Sequence, residues 1–494
     1  MPTRIVITGL GCVSAFGPGH AALWSALVEG RSAIRRITRF DPNGFPSRLA
    51  GEIADLDAKN YVPKGYRKAV KVMARDTEIA VAAAKLAVED AGIVTKGNSE
   101  DETGANFTYR PERMGCNIGA GLIAADLDEM TAAMVTARED VAAGNMGGTP
   151  VPQETWAGKP MPRGETWAGK PMPRGDTLAG KPMPRTFTLR AWGGGVGEGG
   201  GGQGMEALTP LWLLKYLPNM LACHVTIIHG TEGPSNTITC AEASGLLSIG
   251  ESTRIIERGA ADLCFSGAAE SKLNPMGMLR LDFAGRLAAT GDSEDGAAVV
   301  RPYDASANGG AVGEGGAIAI LENLETATRR GARVYAEIVG FGGGHSDARY
   351  SAGEDDEGYR FAIENALEDA GVRPEQIDVI VPMGTGVPEL DRPEIGAFRR
   401  VFGARLGQIP LLTIQPNAGN CVAGVGGLQI TAAALALKNQ RLPARIHGGT
   451  PVPGFLAGAA PSREAELQYA LLCCGSLGGQ NAAVVLRKSD EATK

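Results

Sequence analysis

Histidine is scarce in this chain, with five in 494 residues: His20, His224, His229, His345 and His447. It is the side chain whose ordinary pKa lies near neutrality, so a mechanism needing several proton shuttles has few to draw on. Aromatic residues amount to only 5%. No apolar run reaches the length of a membrane-spanning helix. The start, Met1-Pro2-Thr3-Arg4 leading into Ile5-Val6-Ile7, lacks the apolar core of a secretion signal, so a cytoplasmic location is expected, with no membrane partner. Positive charge is also short, the net value being −7, which argues against nucleic acid, whose phosphates call for a basic field. The eight cysteines (Cys12, Cys116, Cys223, Cys240, Cys264, Cys421, Cys473, Cys474) show no Cys-x-x-Cys or Cys/His ligand spacing. Buried reduced thiols are expected, not disulfides or a metal site.

What is abundant is glycine, 70 residues, in a chain that is 44% apolar and 21% charged. Tight turns and close backbone packing follow from that content. Apolar strand-like runs alternate with amphipathic helical stretches, an α/β pattern with buried sheets. Strands are expected at Arg4–Thr8, Met114–Ile118, Val225–Ile228, Leu263–Ser266, Ala317–Leu321, Val334–Val339, Val379–Val381, Leu411–Ile414, Ala470–Cys473 and Ala483–Leu486. Helices are expected at Ala21–Glu29, Glu78–Asp90, Ala124–Thr136, Leu246–Arg258, Tyr359–Ala370, Glu394–Val401 and Gly426–Leu437. Gly92 and Gly371 stand where a left-handed C-cap would end two of them.

One segment departs from this pattern. The 11-residue unit Glu154–Gly164 recurs unchanged at Glu165–Gly175 and, altered, at Asp176–Arg185, followed by nine glycines between Gly193 and Gly204. Two prolines per unit block regular helix and central strand, and the period matches no solenoid. An extended, mobile insert over about 141–208 is expected. Residues 154–190 carry seven Lys/Arg against three Asp/Glu, which suits either a tolerated tandem expansion or an arm for an acidic partner. The glycine run lacks the Gly-Lys-Ser/Thr ending of a phosphate loop.

The stretch Gly233-Pro234-Ser235-Asn236-Thr237-Ile238-Thr239-Cys240-Ala241-Glu242-Ala243-Ser244-Gly245 resembles the active-site turn of the beta-ketoacyl-acyl carrier protein synthases. There a strand ends, a cysteine nucleophile sits in a tight turn, and a helix begins behind it. Four further motifs follow in that family's order: Ile5–Gly11; Arg301-Pro302-Tyr303-Asp304 with Gly313-Glu314-Gly315-Gly316; Met383–Pro388 with Gln415–Asn420; and Ser476–Asn481. The likeness covers about 420 residues outside the insert. It implies a thiolase-like five-layered αβαβα fold with two pseudo-repeated halves, residues 1–290 and 291–494, and a dimer built through strand pairing. It implies no cofactor of the chain's own, phosphopantetheine arriving on an acyl carrier protein.

The family's chemistry uses a cysteine, two histidines and a lysine. By motif position these are matched here by Glu242, Met383, Asn420 and Gln415. A cysteine at a helix start has a lowered pKa and attacks a thioester. A carboxylate is equally welcome there, but its acyl adduct would be a reactive anhydride. Methionine neither donates a hydrogen bond nor carries a proton, and asparagine does not titrate. The oxyanion-hole N–H groups would belong to Glu242 and Leu477, and Thr385 matches a contact to the pantetheine arm, its companion threonine being replaced by Val387. Gly386-Val387-Pro388-Glu389-Leu390-Asp391-Arg392 resembles the corresponding loop of the chain-length factors, the non-condensing partners of type II polyketide ketosynthases. The expectation is a chain-length-factor-like subunit of fatty acid or polyketide biosynthesis, pairing with an active ketosynthase or with itself and meeting an acyl carrier protein. Two alternatives stand beside it: an acyltransferase or malonyl-thioester decarboxylase using Glu242, and a carrier-binding scaffold.

Several residues have plainer readings. Glu242 can simply accept backbone N–H groups at the helix start. Cys240 and Cys421 are expected to be small buried residues and not displaced nucleophiles. His224 and His229, in an apolar run, are expected to be core residues, and Asp355-Asp356-Glu357 a solvated loop before a helix.

Overall fold

The computed structural model describes residues 3–101, 104–125, 130, 138–140, 185–187, 208, 212–347, 356–446, 449–476 and 478–490. Two compact units divide the chain. One comprises 1–124 and 213–494, the other 125–212. Within the second, Arg138–Asp140 pairs antiparallel with Arg185–Phe187. The three repeats and the expected helix Ala124–Thr136 fall almost wholly outside the described residues.

The first unit is organised by nine strands: β1 (Ile5–Ser14), β2 (Met114–Gly119), β3 (Ser235–Ile238), β4 (Leu263–Ser271), β5 (Val312–Asn323), β6 (Ala336–His345), β7 (Val379–Val381), β8 (Tyr469–Gly475) and β9 (Gln480–Arg487). Its main helices are α1 (His20–Glu29), α2 (Arg75–Ala91), α3 (Met220–His229), α4 (Ser244–Glu257), α5 (Pro275–Phe283), α6 (Glu357–Ala370), α7 (Pro388–Phe402) and α8 (Gly424–Asn439). The strands hydrogen-bond in the order β7-β8-β9-β6-β1-β5-β4-β2-β3.

That order contains one pattern twice. In the set from β1 to β5, β1 lies beside β5, then β4, β2 and β3, with β2 parallel to both β3 and β4. In the set from β6 to β9, β6 lies beside β9, then β8 and β7, with β7 parallel to β8 and bridged in parallel by Leu411 at Ile380. The expected strand Leu411–Ile414 is therefore reduced to one bridge, in the place that β3 takes in the other set. Pro410 before it has no N–H to extend the ladder. Three residue pairs, Ile5–Ile7 with Ala336–Ile338, join the two sets.

Glycine lets the helices sit close. A Cβ on Gly11 of β1 would lie 1.8 Å from the Ala83 carbonyl oxygen of α2, and one on Gly342 of β6 would lie 2.1 Å from the Ala362 carbonyl oxygen of α6. Between the sheets α4 and α8 cross where Gly245 meets Gly426. Helix α8 is buried from Gly424 to Leu437 without interruption, as a helix packed on all sides must be. By contrast α6 buries only Gly358, Tyr359, Ala362, Ile363, Ala366 and Leu367, one stripe of an outer-layer helix. The result is the five-layered thiolase-like fold.

Two further expectations fail locally. Val225–Ile228 is helical, within α3, although its β-branched residues favour strand. Burial at Leu221, Ala222, His224, Val225, Ile228 and His229 follows the helical period, and Gly230 closes the helix at φ 67°. Asp356 is buried, not solvated, and pairs with Arg400 at 3.0 Å. Asp355 lies outside the described residues. His224 and His229 are core residues, bonded through Nδ1 to Tyr66 (2.8 Å) and Thr95 (2.9 Å). Among the described residues no helix is long and apolar enough to cross a membrane, and no cluster of three or more His, Cys, Asp or Glu could hold a metal.

Because the Ala83 carbonyl leaves no room at β1, Gly11→Ala is expected to cost about 2–3 kcal/mol or more. Gly65→Ala, where a Cβ would meet nothing within 4 Å, should be near neutral. Urea denaturation of both variants compares them directly.

Candidate active site

The chain leaves β3, turns through Cys240-Ala241-Glu242-Ala243 and enters α4. Ala241 takes φ 46°, a left-handed conformation that costs a non-glycine residue about 1–3 kcal/mol. The Ser244 hydroxyl accepts the Cys240 N–H at 2.7 Å and fastens the turn. In the other set Val422 takes φ 45° just before α8, and Asn420 caps that bend by accepting the Val422 N–H at 2.8 Å. Two strained elbows thus face the same interior, and the Asn420 side chain donates to Glu242 Oε1 at 3.3 Å.

Glu242 is wholly buried, and Arg286 is the residue that makes this tolerable. Its guanidinium forms an ion pair with Glu242 Oε1, with side-chain exposures of 8% and 0%. Arg286 follows α5 in a turn, its N–H bonded to the Leu281 carbonyl and its own carbonyl accepting from Gly310. Two buried atoms of the pair, Glu242 Oε2 and Arg286 Nε, have no hydrogen-bond partner among the described residues. Nothing in the sequence joined positions 242 and 286; an arginine beside a glycine in a helix exit is ordinary surface chemistry until its burial is seen.

The remaining motif positions form a second cluster. Gln415 is buried and donates through Nε2 to the Met383 carbonyl at 2.8 Å. The loop Met383–Gly386 is held by two buried carboxylates of α7. Glu394 accepts from Met383 N (2.8 Å), Gly384 N (3.1 Å), Tyr359 Oη (2.5 Å) and the Tyr303 hydroxyl. Asp391 accepts from Thr385 N (2.8 Å), Thr385 Oγ1 (2.7 Å), Gly386 N (3.0 Å) and Tyr303 N (3.2 Å). Thr385 therefore spends its hydroxyl on Asp391. Asp391 was visible only as one member of a loop, and Glu394, Tyr303 and Tyr359 were not singled out; burial of acids in a helix's first turns has no sequence signature. Leu477, the second oxyanion-hole position, lies outside the described residues.

Burial pushes the Asp391 carboxyl from 3.8 up to about 6, against the pull of the Thr385, Tyr303 and Gly386 donors. Burial likewise pushes Glu394 from 4.5 up to about 7, opposed by the two tyrosine hydroxyls and assisted by the charge of Asp391. Cys240 is half-buried and its thiol is raised by burial; Cys421 is fully buried and raised well above its usual range. Neither has the lowered pKa of a nucleophile.

A fold of two repeated β-α sets with strained elbows meeting between them defines the thiolase-like class. The model of the beta-ketoacyl synthase N-terminal domain matches residues 3–149 and 196–327, and that of the C-terminal domain matches 335–448. The chain belongs to the beta-ketoacyl synthase family. Curated relatives include a 3-oxoacyl-[acyl-carrier-protein] synthase 2 of Staphylococcus aureus (strain N315), 27% identical over 488 residues that cover 98% of both chains. A Vibrio harveyi protein of the same name is 26% identical, with 99% of each chain covered. Similar solved structures include a beta-ketoacyl synthase from Burkholderia phymatum STM815 (TM-score 0.75, 24% identity) and the ishigamide ketosynthase/chain length factor (TM-score 0.74, 24% identity). Each alignment covers 99% of this chain and 100% of the other.

Removing one partner of a buried ion pair leaves an uncompensated charge, while replacing both by apolar groups is often neutral. Arg286→Met is therefore expected to destabilise by about 3–5 kcal/mol, and Glu242→Leu combined with Arg286→Met to recover most of that; a urea double-mutant cycle measures it. The raised Asp391 and Glu394 values set a pH dependence. What these groups contribute is full below their unfolded values near 4 and is lost as pH rises through about 6 and 7. Glu394→Gln is expected to flatten the decline in urea midpoint between those limits, a slope of at most about 1.4 kcal/mol per pH unit for one group.

Proposed function

We propose that this chain is a non-condensing ketosynthase-like subunit of fatty acid or polyketide biosynthesis, of the chain-length-factor type. The observation that carries this is the buried Glu242–Arg286 pair at the turn where the family places its nucleophile. A carboxylate tied to a guanidinium and to Asn420 is a poor attacking group, and its acyl product would be an anhydride. Met383 and Asn420 supply no titrating group, and Gln415 is spent on a backbone carbonyl. Loss of a nucleophile or its base alone typically lowers kcat by about 10⁴–10⁶.

Two surfaces support a partnered role. Among the described residues strand β3 ends the sheet, and its residues Ser235 and Asn236 are exposed; such an edge is a template for pairing with another chain. It leads directly into the Glu242 turn, so a partner added there would lie next to both elbows. Residues 59–71 carry Lys59, Lys64, Arg67, Lys68 and Lys71, all exposed, with no acid among them. On a chain of net charge −7 this is a local basic face suited to an acidic carrier protein. One similar solved structure (21% identity, TM-score 0.74) is described as a type II polyketide acyl-carrier protein in complex with its ketosynthase.

The unpartnered Glu242 Oε2 favours one second reading, decarboxylation of a malonyl thioester with Glu242 as a proton-transfer group. Co-expression with a cysteine-bearing ketosynthase from the same genome separates the readings. The first predicts a stable heterodimer in which condensation depends on the partner's cysteine and survives Glu242→Gln. Carbon dioxide release by this chain alone, abolished by Glu242→Gln, would support the second. A homodimer that extends acyl chains unaided would overturn both. Glu242→Cys by itself is expected to leave condensation undetectable, since the proton-handling positions remain Met383 and Asn420.

A further inference from the structure

A concave site lies at the end of the sheet away from Glu242. Arg113 immediately precedes β2 and Asp262 immediately precedes β4, whereas Glu242 follows β3, which runs parallel to β2. The length of β2 therefore separates this region from Glu242 by about 20 Å. A cavity of about 600 Å³ opens there, lined by Thr108, Tyr109, Arg110, Arg113, Arg329 and Arg330 together with Thr326 and Asp262. Four arginines and one acid among eight lining residues is an unusual concentration on an acidic protein.

The four arginines divide into two kinds. Arg113 is fixed: Nε and one terminal nitrogen bind the Asp262 carboxylate at 2.9 and 2.6 Å, and the other terminal nitrogen binds the Gly259 carbonyl at 2.8 Å. Arg330 is fixed in the same way, by the Glu322 carboxylate through two nitrogens and by the Ala91 carbonyl at 2.9 Å. Glu322 is itself wholly buried and also accepts from Tyr109 and Thr8. Arg110 is exposed and makes no ion pair among the described residues, while Arg329 is held only by an exposed one-turn link to Glu325 at 2.9 Å. Asp262 and Glu322 answer the charge of the fixed pair, and Glu112 adds to the field at Arg113. With Glu112 and Glu325 counted, the four arginines and the four acids around them balance, so attraction of an anion rests on the N–H groups that Arg110 offers, and Arg329 when it leaves Glu325, and not on a net positive field.

We propose that this cavity binds a small phosphoryl-bearing anion, with Arg113 and Arg330 as a preformed floor and Arg110 and Arg329 closing on it. Guanidinium forks match phosphate oxygens in pairs, and side chains already held in place lose little freedom on binding. The volume lies within the range of small-molecule sites, and Tyr109 gives one wall an aromatic face. The proposal is independent of the chain's role in condensation, because none of these residues contacts Glu242 or the loop Met383–Gly386.

The test is calorimetric titration of the full chain with pyrophosphate and, separately, with ADP, at low salt. Binding of either is expected, weakened at least about ten-fold by Arg110→Ala combined with Arg329→Ala, and unchanged by Glu242→Gln. Both replaced arginines are exposed, so the double variant should keep its melting temperature. Tighter binding of ADP than of pyrophosphate would add the Tyr109 wall to the site; equal affinities would leave recognition to the phosphate oxygens. Failure of both ligands to bind at about 1 mM would overturn the proposal. So would binding that survives the double arginine variant but is lost on Lys64→Ala with Lys68→Ala, which would move the anion to the other basic face.

Discussion

A buried carboxylate has to be answered by a cation or by hydrogen bonds, and the pairing of Glu242 with Arg286 is how this protein meets that demand at its centre. The turn that presents Glu242 is strained at Ala241, and although Cys240 and Ala241 are only half-buried, the Glu242 side chain is wholly buried. A free acid there would be costly; with Arg286 and Asn420 around it, the carboxylate becomes part of the core. On the proposed reading, the same contacts that make Glu242 tolerable take away its use as an attacking group. Structure and chemistry are thus set by a single interaction between residues 44 positions apart.

The surroundings show what has been kept. Strained elbows stand before both α4 and α8, and Gly245 and Gly426 let those helices cross. Asp391 and Glu394 still bind every free N–H of the Met383–Gly386 loop, although the loop now presents methionine at its head. On the proposed reading, this scaffold would position a catalytic set, and the side chains at Glu242, Met383 and Asn420 are not the ones that chemistry needs. On that reading the shape of this fold, with strand β3 at the edge of its sheet, is what a partner uses.

Much of this was legible in the sequence. Five motifs in the family's order carried the resemblance to the beta-ketoacyl synthases, and that resemblance implied the fold. They also singled out Glu242, Met383, Asn420 and Gln415 as motif positions, but not the contacts of Glu242 with Asn420 and of Gln415 with Met383 that the structure shows. What could not be read were contacts between distant segments that leave no periodic trace. Arg286 looks like a surface arginine after a helix, and Glu394 looks like an acid favoured by a helix start. Val225–Ile228 misled for a different reason: β-branched residues favour strand locally, but burial at helical spacing and the Gly230 cap decided the outcome. Asp356 misled because acids before a helix are usually solvated, and here Arg400 reaches over to pair with it.

The central claim is that this interior cannot carry an acyl group. Intact-mass spectrometry of the purified chain, after incubation with a radiolabelled acyl carrier thioester, tests it most directly. The account predicts an unmodified protein and no label retained after denaturation. A stoichiometric acyl adduct mapping to Glu242, Cys240 or Cys421 would contradict it.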